Sequence, residues 1–111
     1  MSESSLAARV VLTTVASLEE ATNVGHTLVE EKLAACATII PAVNSIYRWE
    51  GKVTSAPEIL LLLKTSAELV PALEARLHEL HSYLMPEFLV LPVEAGSSSY
   101  LDWLKDSLRS A

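Results

Sequence analysis

Apolar and polar residues follow one another along the chain in patterns that predict short strands and amphipathic helices. The stretch Arg9–Val15 is β-branched and mostly apolar, which is typical of a strand buried on both faces. Ser17 and Glu20 have the spacing of a capping box, in which the serine oxygen accepts from a helix N–H and the glutamate reaches back. Apolar residues at helical spacing then predict a first helix over Leu18–Ala34.

Two long extended runs flank a turn at Gly51 and predict a β-hairpin. The run Thr38–Trp49 spans about 40 Å at about 3.3 Å per residue, far longer than an ordinary strand. The second run contains the leucines 60–63, and the room left between Pro57 and the next helix cap favours a strand over a helix. Because proline interrupts strand ladders, Pro41 leaves open an alternative in which the hairpin is bent into shorter strands.

The remaining pattern completes an alternating order of strands and helices. It predicts a second helix over Glu68–His81, with Pro71 near its first turn, a fourth strand over Phe88–Val93, and a last helix opened by a capping box over Ser99–Asp102. The fold class is therefore α+β, a ferredoxin-like βαββαβ sandwich with an added C-terminal helix and a long central β-hairpin.

Composition indicates that this fold associates with copies of itself. The chain has 111 residues, which predicts a single domain over residues 1–111 with residues 1–8 as a disordered tail. Half of the residues are hydrophobic and the mean hydropathy is +0.33, more apolar surface than so small a globule hides alone. The long hairpin also needs partners for its edges, so a homo-oligomer is expected.

Charge and cysteine content limit the partners and the compartment. The net charge of −6 and the pI of about 4.9 argue against nucleic acid and against membrane surfaces as partners. A single cysteine, Cys36, excludes an internal disulfide and fits a reducing compartment. Residues 7–17 look like a short signal-peptide core but lack a basic segment before them, so we expect a strand in a cytoplasmic protein.

Few residues suggest chemistry. Cys36 is either a small buried hydrophobe or a weak metal or redox site. His78 and His81 are three residues apart on one predicted helix, where they either share a metal or are both solvated; His26 stands alone and is expected at the surface. The sequence has no nucleophile elbow, phosphate-binding loop, dinucleotide fingerprint or HExxH helix, so no enzymatic activity is predicted.

Several sequence blocks, taken jointly and in order, resemble the CutA divalent-cation tolerance family. They are Lys32-Leu33-Ala34-Ala35-Cys36-Ala37, Ile40-Pro41, Ser45-Ile46-Tyr47-Arg48-Trp49-Glu50-Gly51-Lys52, Lys64-Thr65, His81-Ser82-Tyr83, Pro86-Glu87, Leu91-Pro92-Val93 and Tyr100-Leu101-Asp102-Trp103-Leu104. The resemblance implies a homotrimer related in architecture to the PII signalling proteins. It also implies a role in tolerance of copper or another divalent metal, which would be a ligand of the protein.

Two departures from the family pattern bear on the metal. The resemblance places copper donors at the positions of Thr13, Leu80 and His81, and only His81 supplies a metal-binding nitrogen. Because copper favours softer donors than a threonine oxygen, the sequence predicts weakened copper binding. The candidate metal ligands are His81, His78, Cys36 and Glu87.

A second set of residues has two interpretations. These are the aromatic and basic residues Lys64, Tyr83, Tyr47 and Trp49. They either pack at subunit contacts or form a cleft between subunits that takes a metal ion or a small anion. The expected function is that of a non-catalytic trimer in metal tolerance. The alternatives are a PII-like sensor of a small anionic metabolite and a structural trimeric scaffold.

Overall fold

The computed structural model describes residues 7–111, and its elements follow the predicted order. They are β1 (Ala8–Val15), α1 (Leu18–Glu30), β2 (Cys36–Trp49), β3 (Lys52–Ser66), a 3₁₀ turn (Ala67–Leu69), α2 (Val70–Leu80), β4 (Leu89–Pro92) and α3 (Ser98–Asp106). Residues 1–6 of the expected tail lie outside the described residues, whereas Ala8 begins β1 and is buried. Among residues 7–111, no helix is both long and apolar enough to span a membrane.

The four strands form one sheet in the order β2-β3-β1-β4, in which every neighbouring pair is antiparallel. The ferredoxin-like prediction is therefore confirmed. Glu50 and Gly51 connect β2 to β3 with φ values of 50° and 82°. Two left-handed residues in succession are typical of the tight turn whose twist matches that of the flanking strands, so the hairpin register is fixed at its tip.

The hairpin gives the molecule its length. β2 has 14 residues and β3 has 15, and the chain measures 50 × 25 × 22 Å along its principal axes. Pro41 does not divide β2 into two strands. Instead, the register against β3 shifts between Ile40 and Val43, so that β2 continues through a bulge. The bent-hairpin alternative is thus replaced by one long strand with a local irregularity.

Helix boundaries differ from the predictions at two places. α1 ends at Glu30 rather than Ala34, because Lys32 takes a left-handed φ of 60°. The N–H groups of Lys32 and Leu33 then donate to the carbonyls of Val29 and Leu28, both at 3.0 Å, which closes the helix in a Schellman motif without glycine. The cap of α3 is Ser97 rather than Ser99; its Oγ accepts from the N–H of Tyr100 at 3.3 Å.

The helices α1 and α2 cover one face of the sheet, which we call the covered face. Side chains of β1 and β3 that point to it are buried together with helix side chains in one core. The core includes Val11, Val15, Ile59, Leu61, Leu63, Val24, Leu28, Leu73 and Leu77. The opposite surface, the open face, also carries a set of apolar residues. These residues are Val10, Leu12, Ile40, Leu60, Leu62, Leu89 and Leu91, which lie opposite one another across the strand pairs.

The open face is only partly shielded within one chain. α3 packs Leu104 against Ala8 and Ala35 at the end where β1 begins. Farther along, Ile40, Leu89 and Leu91 keep 38%, 54% and 46% of their surface exposed. An apolar patch of this kind is typical of a protein–protein contact.

Candidate functional site

His81 ends α2, and its ring is buried beside the end of β1. Its Nε2 lies 2.7 Å from the carbonyl oxygen of Thr14, and its Nδ1 lies 3.1 Å from the backbone N–H of Tyr83. Because the N–H of Tyr83 can only donate, Nδ1 accepts and the ring proton is on Nε2, which donates to Thr14. Both nitrogens of the neutral imidazole are thus engaged within the chain.

Glu20 ties α1 to the loop that follows α2. Ser17 accepts from the N–H of Glu20 at 3.1 Å, as the capping box predicts. The carboxylate, however, does not reach back to Ser17. It accepts from the backbone N–H and the hydroxyl of Ser82, at 2.9 and 3.0 Å. It also lies 3.7 Å from Nδ1 of His81, which is not an ion pair while that nitrogen accepts a hydrogen bond.

Tyr83 connects the same loop to the hairpin. Its hydroxyl donates to Oε2 of Glu58 at 2.9 Å, and its ring lies against that of His81 with centroids 4.8 Å apart. Burial, the hydrogen bond to Glu58 and the nearby carboxylate charges raise the pKa of Tyr83 to about 12. Tyr47 is near enough to contribute to this rise in pKa. The phenol therefore stays protonated at neutral pH and acts as a donor.

The predicted metal ligands do not meet within the chain. His78 is exposed on the last turn of α2, whereas His81 leaves the helix with an extended ψ of 140° and turns inward. Glu87 is exposed in the loop before β4, and Cys36 begins β2. Within residues 7–111, no three His, Cys, Asp or Glu side chains are arranged to hold a metal ion.

The positions to which the resemblance assigns copper donors do not fit a copper site. Thr13 is fully buried, and its hydroxyl has no hydrogen-bond partner among the described residues. Leu80 packs against the core and has no donor atom. A metal at His81 would have to displace either the Tyr83 N–H or the proton shared with Thr14. At these three positions the chain thus supplies only the His81 imidazole, which is already hydrogen-bonded at both nitrogens, and the hard, neutral hydroxyl oxygen of Thr13.

The predicted cleft residues fall into two groups. Lys64 lies at the opposite end of β3 from the hairpin turn, where its Nζ donates to Thr38 Oγ1 at 2.7 Å and lies 3.6 Å from Cys36 Sγ. Tyr83 meets Glu58, six residues or about 20 Å along the strand at about 3.3 Å per residue. Trp49 is exposed near the hairpin tip. Within a single chain, Tyr47 therefore lies near Tyr83, whereas Lys64 lies far from both.

Sequence reasoning missed Glu20 and Glu58 as members of this site. Glu58 carried a signal, since it is the lone carboxylate at the entry to a run of five apolar residues. Such a residue is more often paired than solvated when the strand is buried. Glu20 carried no such signal, because the capping box with Ser17 already explained a glutamate at this position.

Comparison with known proteins places these residues in a family. The family model described as CutA1 divalent ion tolerance protein matches residues 9–107. The divalent-cation tolerance protein CutA of Thermus thermophilus is 48% identical over 98 residues, which are 88% of this chain and 95% of that protein. The chloroplastic protein CutA of Arabidopsis thaliana is 44% identical over 101 residues, which are 91% of this chain but only 56% of that longer protein.

Solved structures agree with the sequence relatives. The crystal structure of CutA1 from Oryza sativa matches with a TM-score of 0.95 at 38% identity, over 98% of this chain and all of that one (100%). The Cut A1 protein from Thermus thermophilus matches with a TM-score of 0.90 at 46% identity, over 92% of this chain and 99% of that one. The names of the family and of the Thermus thermophilus protein describe ion tolerance, and none of the names reported above describes an enzymatic reaction. The chain belongs to the CutA1 divalent ion tolerance family.

Proposed function

We propose that the chain acts in the cytoplasm as a non-catalytic homotrimer in divalent-cation tolerance and binds copper only weakly. The open face is the observation that supports the homotrimer. Its apolar side chains lie beside one another on all four strands and remain partly exposed, so a second and third copy would remove that surface from water. Removal of apolar surface stabilises by about 25 cal/mol per Å², which favours association.

The long hairpin supports the same assembly. Its tip exposes Ile46, Trp49 and Val53, with 73%, 52% and 68% of their surfaces accessible. An exposed edge strand of 14 residues with apolar side chains is prone to aggregation unless a specific partner covers it. Native mass spectrometry at micromolar chain concentration is expected to give three times the chain mass. A monomer under those conditions would contradict the trimer.

Weak copper binding rests on the donors around His81. Leu80 offers none, the hydroxyl of Thr13 is a poor copper ligand, and both nitrogens of His81 already have partners. Calorimetric titration with Cu(II) is expected to give weak binding that His81→Ala reduces further. The double substitution Thr13→Cys with Leu80→His is expected to strengthen it. Tight stoichiometric binding that survives His81→Ala would move the site elsewhere, with Cys36 and His26 the next residues to substitute.

Lys64 favours a second candidate function, the sensing of a small anion between subunits. Its ammonium group lies on the same side of β3 as Leu62, where a neighbouring copy would approach. A trimer would thus place a cation at a contact between chains, next to the hydroxyl of Thr38. Native mass spectrometry of freshly purified protein distinguishes the two functions. A co-purified small-molecule adduct would support the sensor, and bound copper would support metal tolerance. If neither is found, the structural trimeric scaffold is the alternative that is left.

A further inference from the structure

The two ring nitrogens of His81 differ in how they can be made available to a metal ion. Nε2 lies 2.7 Å from the carbonyl oxygen of Thr14. No ion fits on the line between these two atoms, because a metal–imidazole bond alone is about 2 Å long. Nδ1 is held only by the backbone N–H of Tyr83, at 3.1 Å. Access of a metal ion to the ring therefore depends on whether that N–H stays in place.

Glu20 fastens the chain immediately before that N–H. Its two carboxylate oxygens accept from the backbone N–H and the hydroxyl of Ser82 at 2.9 and 3.0 Å, a pair of bonds that we call the Glu20–Ser82 clasp. Hydrogen bonds to a carboxylate are about twice as strong as bonds between neutral groups. Ser82 lies between His81 and Tyr83 in the chain, so the clasp fixes the Ser82–Tyr83 peptide, whose N–H occupies Nδ1.

The clasp lies at the surface, whereas the imidazole lies in the interior. Ser82 is exposed, but the side chain of His81 is 0% exposed. Contacts in exposed loops open at a smaller cost in free energy than contacts in a core. Opening of the clasp would let the Ser82–Tyr83 peptide turn without breaking the bond between Nε2 and Thr14. The ring would then keep its place while Nδ1 lost its partner.

We propose that the Glu20–Ser82 clasp is an autoinhibitory contact that keeps His81 from binding a metal ion. The proposal rests on the proposed function, since it gives the weak binding of copper a cause that can be reversed. Glu20 is then a positioning residue that acts through Ser82 and not a metal ligand. The apparent affinity of a site falls with the fraction of molecules in which it is accessible, so a clasp closed in about nine of ten molecules lowers it about tenfold. Glu20 and His81 belong to α1 and to the end of α2, the helices of the covered face, so the clasp is separate from the open face.

The state of the ring in the parent protein is tested first. A long-range ¹H–¹⁵N spectrum at neutral pH is expected to show His81 as the neutral tautomer with its proton on Nε2. Zn(II), a diamagnetic divalent ion, is then added, and the signals of the exposed His78 are expected to shift before those of His81. A proton on Nδ1, or signals of His81 that respond first, would overturn the proposal.

Opening the clasp should increase the affinity for copper. Ser82→Pro removes both donors of the clasp, and the ψ of 140° at His81 already suits a following proline. Calorimetric titration with Cu(II) is expected to give an affinity about tenfold higher than that of the parent. Ser98→Pro, the same change at the exposed first residue of α3, where proline is favoured, is the control and is expected to leave the affinity unchanged.

Two further variants assign the gain to His81. Ser82→Pro combined with His81→Ala is expected to lose it, and Ser82→Ala, which removes only the hydroxyl donor, is expected to give a gain of about threefold. Unchanged Cu(II) affinity of the folded Ser82→Pro variant, or of Ser82→Ala where the proline variant does not fold, would refute the clasp, as would a gain that survives His81→Ala. In those cases weak binding by the parent leaves the proposed function standing. Tight binding by the parent would contradict the proposed function itself.

Discussion

The two faces of the sheet are built from the same kinds of residue but have different roles in the chain. Leu61 and Leu63 point to the covered face and are fully buried under α1 and α2, whereas Leu60 and Leu62 between them point to the open face. One face therefore stabilises the fold of a single chain. The other has surface left over, which is useful only if something outside the chain covers it.

The largest effect is expected from a charge on the open face. Leu62→Asp would put one carboxylate per chain into an apolar contact, and an unpaired buried charge costs several kcal/mol. We expect the variant to lose the trimer at micromolar concentration by native mass spectrometry. Its helical circular dichroism should persist, because Leu62 is outside the core of the covered face. Val29→Asp, a similar change on the outer surface of α1, serves as the control. A Leu62→Asp protein of parental mass would show that the open face is not the interface.

A truncation on the covered face should act on the chain itself. Leu63 is completely buried, so Leu63→Ala is expected to lower the free energy of unfolding by about 2–5 kcal/mol through lost contacts and a residual cavity. Urea unfolding measures the change. Leu62→Ala, at the neighbouring position on the open face, is the matched control. Its urea midpoint should fall more steeply with decreasing protein concentration than that of the parent, because the substitution weakens the contact between chains. If the two variants behaved alike at every concentration, the distinction between the faces would fail.

The sequence predicted the elements well but could not divide the leucine run between the faces. Element order followed from hydrophobic period and turn residues, and the turn at Gly51 followed from its neighbours. Four leucines in succession have no alternation, so residues 60–63 read as one apolar block. Only pairing with β1 assigns them, since Leu61 and Leu63 lie opposite Thr13 and Val11 on the buried side. Substitution of Leu61 would therefore damage the core and reveal nothing specific about assembly.

The candidate site was less predictable because its contacts join distant parts of the chain. His81 bonds to Thr14, which is 67 residues away, and Tyr83 bonds to Glu58, which is 25 residues away. Local spacing paired His81 with His78 instead, since it cannot show that the chain leaves the helix at His81. The predicted end of α1, Ala34 instead of Glu30, was wrong because the sequence carries no local stop signal. A lysine takes the left-handed position usually held by glycine, so the stop signal is absent from the sequence.

A smaller effect concerns how closely α1 approaches the covered face. A Cβ on Gly25 would lie 3.0 Å from Cβ of Ala37, which is fixed to the backbone of β2 and cannot rotate away. Overpacking costs about 1–3 kcal/mol, against a gain of about 1 kcal/mol in helix propensity. Gly25→Ala is therefore expected to lower the free energy of unfolding by about 1 kcal/mol in urea. Ala37→Gly in the same chain should relieve the contact, and a Gly25→Ala variant more stable than the parent would show that the helix shifts freely.

An effect of similar size is expected to run in the opposite direction, at the centre of the covered face. The hydroxyl of Thr13 is buried and has no hydrogen-bond partner within residues 7–111, and an unsatisfied buried donor costs about 1–3 kcal/mol. Thr13→Val keeps the branched shape and replaces the hydroxyl with a methyl group, so the free energy of unfolding is expected to rise by about 1 kcal/mol. Thr65 is the matched control, because it is equally buried but its Oγ1 donates to the carbonyl of Leu33 at 2.7 Å. Thr65→Val should lose about 1 kcal/mol, since it leaves that carbonyl unpaired. If Thr13→Val instead lowered both stability and Cu(II) affinity, the hydroxyl would have a partner in solution, and Thr13 would again be a candidate metal donor.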